Sequence, residues 1–347
     1  MNGEYLVPTG RLIKDYLDEY NISQKSLSSR TGMSEKHISN VINGNSRLTE
    51  EFVLKLEKVL TNINASYWLN YEAKYREYIA RQEEKIDFEN LDLASIATRF
   101  RFKEVFKGLE LNIVEQAVEM LKLLKISSFD QFEKVYGDLA IDFMEDGGES
   151  EAIAVWLGLC ESEIEIQNVD LTENKFDKKK VEKALDRFRI LANNKETEKS
   201  IVSCRKLFNR LGIYFVVCEA ITNSKVRGAL TTYNNHPAIY ISGRFRSHAH
   251  IWFAIIHEIF HLLLHYDKKE LLISYEEENE NAKETEANQH TRNLLVNAQA
   301  YHGFVDEGQF SKEKIISFSQ SQDILPEFIV GFLQHDGIIG FDKLNNI

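Results

Sequence analysis

Apolar residues recur at helical spacing along the first part of the chain. Leu12, Ile13 and Leu17 form one apolar stripe, and residues 109–124 form a strongly amphipathic segment. Residues three or four apart lie on the same face of a helix, so this spacing predicts helices that each bury one side. The pattern predicts that residues 62–194 are helical throughout.

Beyond Ser200 the pattern changes, and two short runs predict β-strands. Residues 212–217 and 238–242 are rich in β-branched and aromatic residues, as strands are. An apolar segment at 251–264 and a helical pattern at 283–295 follow them. The second strand is a candidate edge for pairing with an extended peptide, and a plain core strand is the alternative.

Capping residues near the N-terminus predict two short, consecutive helices. Ser23 and Ser34 are suitable N-caps, because a serine hydroxyl accepts a bond from a free backbone N–H. Gly32 lies in the turn between the helices, and Gly44 follows the second one. This is a helix-turn-helix arrangement, whose second helix enters a DNA major groove. A module kept only for dimerisation is the alternative.

The patterns divide the chain into three predicted domains. Residues 1–85 form the helix-turn-helix bundle with a trailing helix, 86–194 a helical connector, and 195–347 an α+β domain. The fold class is therefore multidomain and mainly α. A hydrophobic fraction of 43% fits globular domains, and three prolines argue against long extended linkers. Residues 147–150 are a candidate disordered linker of only a few residues.

Charge is distributed unevenly along the chain. Residues 1–85 contain 12 basic and 12 acidic side chains, so the net charge of −12 falls on the remainder. A neutral DNA-binding domain gains little from counterion release. Specific binding to double-stranded operator DNA is therefore expected to need a homodimer on paired half-sites.

The cysteines and the hydropathy indicate a cytoplasmic protein. The three cysteines show no CxxC spacing and are expected to be buried thiols in a reducing compartment. The N-terminus lacks a basic region followed by an apolar core, so no signal peptide is expected. No apolar run approaches the roughly 18 residues of a membrane span, so no membrane partner is expected.

The segment His257-Glu258-Ile259-Phe260-His261 has the clearest chemistry. On a helix, residues four apart lie one above the other, so the two imidazoles converge. Imidazole is a preferred zinc ligand, and the glutamate between the two can take a proton from an activated water. The apolar flanks predict a buried helix, in which polar side chains are unfavourable unless they bind a partner. Satisfied core histidines with a chance glutamate are the alternative.

A zinc site needs a third protein ligand. His265 continues the row of imidazoles but lies roughly 12 Å from His257 along a continuous helix, too far to share one ion. It is expected to support the site or to pack. Glu286, on the next predicted helix, is the preferred ligand, and Glu284 is the alternative. The glutamates at 276–280 are expected to form a solvated acidic loop.

The C-terminal part resembles the ImmA/IrrE family of zinc metallopeptidases, roughly from Lys195 onward. The matching stretches are Arg227-Gly228-Ala229, Pro237-Ala238-Ile239-Tyr240-Ile241-Ser242, Trp252-Phe253, Glu286-Ala287-Asn288, Leu294-Leu295 and Ile329-Val330-Gly331-Phe332-Leu333-Gln334-His335. The resemblance implies a zincin-like (gluzincin) fold. It also implies Zn²⁺ held by His257, His261 and Glu286, with Glu258 as the general base.

The chain departs from this family at two points. His290-Thr291 stand where the family usually has Phe-Ala after the ligand glutamate, and no proline follows Leu295. Neither position is a ligand, so the expected effect is on the wall of the substrate cleft.

The N-terminal part resembles the Cro/C1-type helix-turn-helix class, and within it the HigA-like antitoxins. The matching residues are Ile22-Ser23-Gln24, Gly32, Ser34, Ile38-Ser39, Asn43-Gly44, Leu56-Glu57-Lys58 and Trp68-Leu69. The resemblance implies base contacts and phosphate contacts. The base contacts are Lys36, His37 and Asn40, and the phosphate contacts are Gln24, Lys25 and Arg47.

Together these features predict a DNA-binding, antitoxin-like regulator that carries a zinc-dependent endopeptidase. Its expected substrate is a regulatory protein, such as a repressor or a toxin–antitoxin partner. The alternative is a HigA-like antitoxin or repressor whose zinc domain is a sensor or a toxin-binding scaffold without proteolysis. Glu258 favours the first, because a scaffold has no need of a base.

Overall fold

The protein divides into two compact units, Met1–Leu93 and Ala94–Ile347. A computed structural model describes residues 6–143, 148–244, 247–275 and 281–344. The acidic loop predicted at 276–280 lies outside the described residues, as does Gly147 of the predicted short linker.

Five helices make up the first unit within its described residues. They are α1 (Thr9–Glu19), α2 (Gln24–Thr31), α3 (Glu35–Ile42), α4 (Glu50–Glu57) and α5 (Ala65–Glu89). Ser23 and Ser34 accept N-cap bonds from the N–H groups of Ser26 and His37, as the sequence predicts. Gly32 ends α2 with a positive φ of 70°. The helix-turn-helix therefore comprises α2 and α3.

The second unit begins with short helices and continues with a four-stranded sheet and further helices. In its described residues the helices are α6 (Leu93–Arg99), α7 (Phe102–Val105), α8 (Ile113–Leu123), α9 (Phe132–Phe143), α10 (Ser150–Gln167), α11 (Lys178–Glu182), α12 (Leu185–Ala192), α13 (Thr197–Arg210), α14 (His248–Leu264), α15 (Ala282–Leu295), α16 (Ala298–Asp306), α17 (Lys312–Ser321) and α18 (Pro326–His335). The strands are β1 (Tyr214–Cys218), β2 (Val226–Tyr233), β3 (His236–Ser242) and β4 (Leu272–Tyr275).

The sheet has the order β1-β3-β2-β4. Strand β3 is parallel to β1 and antiparallel to β2, and β2 is antiparallel to β4. Strand β3 is paired on both sides, so the edge-strand interpretation of residues 238–242 is wrong and the alternative, a core strand, is confirmed. The described edges are β1 and β4. A local sequence pattern can predict that a segment is a strand, but it does not predict which strands pair with it.

The sheet is covered by helices on both faces. Ile239 and Ile241 belong to the core shared with α14, and Tyr240 between them contacts Trp156 of α10. Successive strand residues point to opposite faces, so α10 and α14 lie on opposite sides. Helix α10 falls within the connector predicted at 86–194. From Ala94 onward these helices share a compact unit with the sheet.

The motif helix α14 is therefore held between the sheet and the C-terminal helices. Its core includes apolar residues of α12, α13, α15 and α18. None of the described helices is long and apolar enough to span a bilayer.

Candidate metal centre

Helix α14 carries the polar motif through an apolar interior. Ser247 caps its N-terminus by accepting a bond from the N–H of His250. The Trp252 indole N–H donates to Ser200 Oγ at 3.0 Å and ties the helix to α13. His257, Glu258 and His261 are 0%, 0% and 1% exposed. Such burial of three ionisable groups is costly unless they have partners.

The two imidazoles and one carboxylate converge. His257 Nε2 and His261 Nε2 lie 2.9 Å apart. Glu284 Oε2 lies 3.1 Å from the first nitrogen, and Glu284 Oε1 lies 2.8 Å from the second. Glu284 is on the first turn of α15, which Asn281 caps by accepting from the N–H of Lys283. These three residues are the metal-compatible cluster in the described part of the chain.

Glu286, which the sequence analysis preferred as the third ligand, lies outside this cluster. Its Oε2 contacts His265 Nε2 at 3.0 Å. Two residues that are two positions apart point about 200° apart around a helix, so only one of them can face His257 and His261. Glu284, the alternative, takes that position.

The donor set fits a divalent metal ion. Two imidazole nitrogens and a carboxylate are the ligands of a catalytic zinc site with an open position. Both Nε2 atoms point at the same small space, where two lone pairs would repel each other without a cation or a proton between them. The ring nitrogens and the carboxylate are therefore suited to hold Zn²⁺.

The surroundings set the protonation of these groups. Burial, followed by the charge of Arg227, lowers the pKa of His257 to about 3 and so favours its neutral form. Burial acts against the charged form of His261, but the hydrogen bond to Glu284 and the nearby carboxylates outweigh it and raise the pKa of His261. Burial also opposes the charge of Glu284, yet its bonds to the two histidines lower the pKa of this carboxyl.

Glu258 lies beside the cluster and is held from one side. Its Oε1 accepts a bond from Ser274 Oγ of β4 at 2.6 Å. Gly228 of β2 packs against it so closely that an added Cβ would lie 2.5 Å from Oε1. Oε2 has no hydrogen-bond partner among the described residues. Complete burial raises the pKa of Glu258 to about 7.

Arg227 is a site residue that the sequence analysis gave no chemical role. Its Nη2 lies 3.1 Å from His257 Nε2 and 3.6 Å from Glu284 Oε2. The guanidinium also stacks on Phe253, 5.7 Å from the ring centroid. The only signal in the sequence was its place in the Arg227-Gly228-Ala229 match. The pairing of β2 with β3 and β4 brings it to the motif helix.

The DNA-contact candidates differ in exposure. Lys25, Lys36 and Arg47 are exposed, and Gln24 and Asn40 are half-buried. His37 is turned inward: its ring packs edge-on against Phe52 at 5.6 Å, and its Nε2 is buried with no hydrogen-bond partner among the described residues. The ring of His37 thus contacts α4, and its contact to a base edge stays a prediction.

Comparisons with known proteins agree with the two ends of the chain. The helix-turn-helix family matches residues 13–68. The IrrE N-terminal-like domain of peptidase family M78 matches residues 209–325. Neither the curated proteins nor the solved structures gave a match to the chain. The protein thus combines an N-terminal helix-turn-helix DNA-binding domain of the Cro/C1 type with a C-terminal IrrE-like peptidase domain.

Proposed function

We propose that this protein is a DNA-binding transcriptional regulator that carries a zinc-dependent endopeptidase. The observation that carries the proposal is the convergence of His257, His261 and Glu284 beside the buried Glu258, within a domain that matches a peptidase family. The helix-turn-helix supports the regulatory part. The geometry favours His257, His261 and Glu284 as the ligands of Zn²⁺.

Zinc bound to these three side chains supplies Lewis acidity, which activates a water molecule and polarises a peptide carbonyl. Glu258 is the proton acceptor in this proposal. Its Oε2 has no partner among the described residues, while Ser274 holds Oε1 in place. A carboxyl whose pKa is about 7 can take a proton and return it to the leaving amine near neutral pH.

Arg227 adds a fixed positive charge at the edge of the cluster. Its guanidinium is within 4 Å of both His257 and Glu284. A cation held by Phe253 in a water-poor site is suited to stabilise negative charge that develops on a substrate carbonyl oxygen. We therefore assign Arg227 to charge stabilisation.

The substrate class we propose is a regulatory protein, such as a repressor or a toxin–antitoxin partner. The fused DNA-binding domain supports this choice, because it would bring the peptidase to proteins bound at the same operator. Residues 1–85 have no net charge, so one domain gains little affinity from phosphate contacts. A homodimer on paired half-sites would add the second set of DNA contacts.

The test combines metal analysis with a proteolysis assay. The purified wild-type chain and Glu258→Gln are each loaded with Zn²⁺ and incubated with the products of the neighbouring genes. We expect both to bind zinc and only the wild type to cleave, because the amide cannot accept the proton. Cleavage by the zinc-loaded Glu258→Gln chain would refute the role of Glu258.

One observation favours a second candidate, a HigA-like antitoxin or repressor whose C-terminal domain is a sensor or toxin-binding scaffold. Arg227 Nη2 lies 3.1 Å from His257 Nε2, where its charge opposes a divalent cation. This candidate predicts that the purified wild-type chain binds its promoter but cleaves no neighbouring gene product. Zinc uptake without cleavage would support the sensor form.

A further inference from the structure

We infer that His265 and Glu286 are positioning residues that orient His261 toward the metal. The inference rests on the proposed function, because it concerns the support of the same three ligands. Neither residue is itself within the cluster.

The three side chains form a continuous hydrogen-bonded row behind the cluster. His261 Nδ1 lies 3.1 Å from His265 Nδ1, on the side of the ring opposite its Nε2. His265 Nε2 in turn lies 3.0 Å from Glu286 Oε2. The side chain of His265 is only 8% exposed, so water competes little for its ring. The row leads from the centre to the surface, where Glu286 is half-exposed.

The hydrogen positions follow from the chemistry of the three groups. If His261 Nε2 binds a metal ion, its hydrogen must be on Nδ1, which then donates to His265 Nδ1. His265 must accept with that nitrogen, so its own hydrogen is on Nε2 and is donated to the Glu286 carboxylate. One arrangement therefore satisfies the ligand and both bonds behind it.

Such a row fixes a metal ligand in two ways. It selects the tautomer whose lone pair faces the ion, and it resists rotation of the ring. The negative charge at the far end also makes the ligand a better electron donor. Removal of partners of this kind from metal-binding histidines costs about 10–100-fold in metal affinity.

The position of His265 explains how one helix supports its own ligand. His265 is the C-cap of α14, and its backbone N–H donates to the carbonyl of His261 at 2.8 Å. The turn that ends the helix therefore brings the two rings together, with centroids 5.2 Å apart. The two glutamates of α15 then have different partners: Glu284 contacts His257 and His261, and Glu286 contacts His265.

The experiment measures Zn²⁺ affinity of the full chain by competition with a chromogenic chelator. The variants are His265→Phe, which keeps a ring but no hydrogen bond, Glu286→Ala, and Glu286→Gln, whose amide oxygen can still accept. His290→Ala is the matched control, because His290 is an exposed histidine of α15 that contacts Phe260 and not the row.

We expect affinities about 10–100-fold weaker for His265→Phe and Glu286→Ala, a partial recovery for Glu286→Gln, and no change for His290→Ala. The visible spectrum of the Co²⁺-loaded chains is expected to change in the first two variants. The melting temperature of the metal-free chains is expected to stay near that of the wild type, since the row orients a ligand and contributes little packing.

The outcomes separate this inference from the proposed function. A wild-type chain that takes up no zinc would overturn both. Zinc binding by the wild type with equal affinity in His265→Phe would overturn the positioning role alone. The positioning role would also be overturned if the variants that lose Zn²⁺ affinity had correspondingly lower melting temperatures without metal. The substitutions would then act by destabilising the fold.

Discussion

At the scale of single residues, Arg227 has the most direct electrostatic conflict with a bound cation. Its guanidinium lies 3.1 Å from one proposed ligand and 3.6 Å from another. Like charges at such distances repel appreciably wherever water is largely excluded. We therefore expect Arg227→Met to bind Zn²⁺ several-fold more tightly than the wild type and to hydrolyse substrate more slowly.

The measurements are a chelator competition and the ratio of kcat to KM for the two chains. Arg227→Lys is the matched control, since it keeps the charge and is expected to lie between the two. Weaker zinc binding in Arg227→Met would mean that the guanidinium supports the ligands instead of competing with the ion.

At the scale of secondary-structure elements, the contact between β2 and α14 sets the position of the base. Gly228 lies directly against Glu258, and an added Cβ would meet Oε1 at 2.5 Å, a distance that requires a shift. We expect Gly228→Ala to reduce hydrolysis at least ~10-fold, because a misplaced catalytic group loses much of its effect. Zinc binding should be retained, since the three atoms nearest to the added Cβ all belong to Glu258.

Gly303→Ala serves as the control for this substitution. Among the described residues, no atom other than the chain neighbours and the backbone of its own helix lies within 4 Å of a Cβ at Gly303 in α16. Alanine at an open helical position stabilises by up to about 1 kcal/mol. Wild-type activity in Gly228→Ala would show that Glu258 does not depend on this contact.

A second contact between elements joins three C-terminal helices. Arg292 of α15 forms two bonds to Asp336 at 2.6 and 2.7 Å, and the Tyr301 hydroxyl of α16 donates to the same carboxylate at 2.7 Å. Asp336 directly follows α18. Burial opposes its charge, but the bonds from Arg292 and Tyr301 outweigh this and lower the pKa of Asp336 to about 2.

This lowered pKa predicts a pH dependence of stability. A depressed carboxyl pKa stabilises the folded state above its ordinary value of 3.8, and this contribution is lost as the pH falls toward about 2. We expect Asp336→Asn to lower the free energy of unfolding by about 1–2 kcal/mol at pH 7. The difference from the wild type should shrink below about pH 4.

Urea unfolding at a series of pH values checks this expectation. The control is Asp342→Asn, because Asp342 is an exposed carboxylate in the same C-terminal segment. A difference that stays constant down to the acid limit would exclude ionisation of Asp336 as its origin.

Elements whose signals are local could be predicted from the sequence, and those set by distant pairing could not. The caps at Ser23 and Ser34 depend on hydrogen bonds to residues three positions away, so they can be recognised from the sequence alone. The choice between Glu284 and Glu286 depends on the rotation of α15 about its axis, which no local spacing fixes. The central place of β3 likewise depends on β2, which the sequence analysis did not predict.

At the scale of the whole molecule, the two units carry separate functions in our proposal. Lys36 and Asn40 belong to the first unit, and the metal-compatible cluster belongs to the second. We expect Lys36→Ala plus Asn40→Ala to lose the footprint on the protein's own promoter, because a cation and an amide are removed from the groove-facing helix. Hydrolysis by the same chain should be unchanged.

Footprinting and the proteolysis assay on one preparation check both statements. His37→Ala is the informative comparison: its inward-facing ring predicts a loss of stability before any loss of base contacts. An unchanged footprint in the double variant would count against these recognition residues.

The positions of His261 and Glu284 in the chain have a thermodynamic consequence. An ion shared by the two would close the polypeptide between them, β4 included, into a ring. Cross-links of this kind limit the freedom of the unfolded chain, as disulfides do, and so favour the native state. If zinc is bound there, its removal should destabilise the second unit and leave the first unit, which contains the helix-turn-helix, folded. The supply of metal would then control the stability of the unit that contains the peptidase domain.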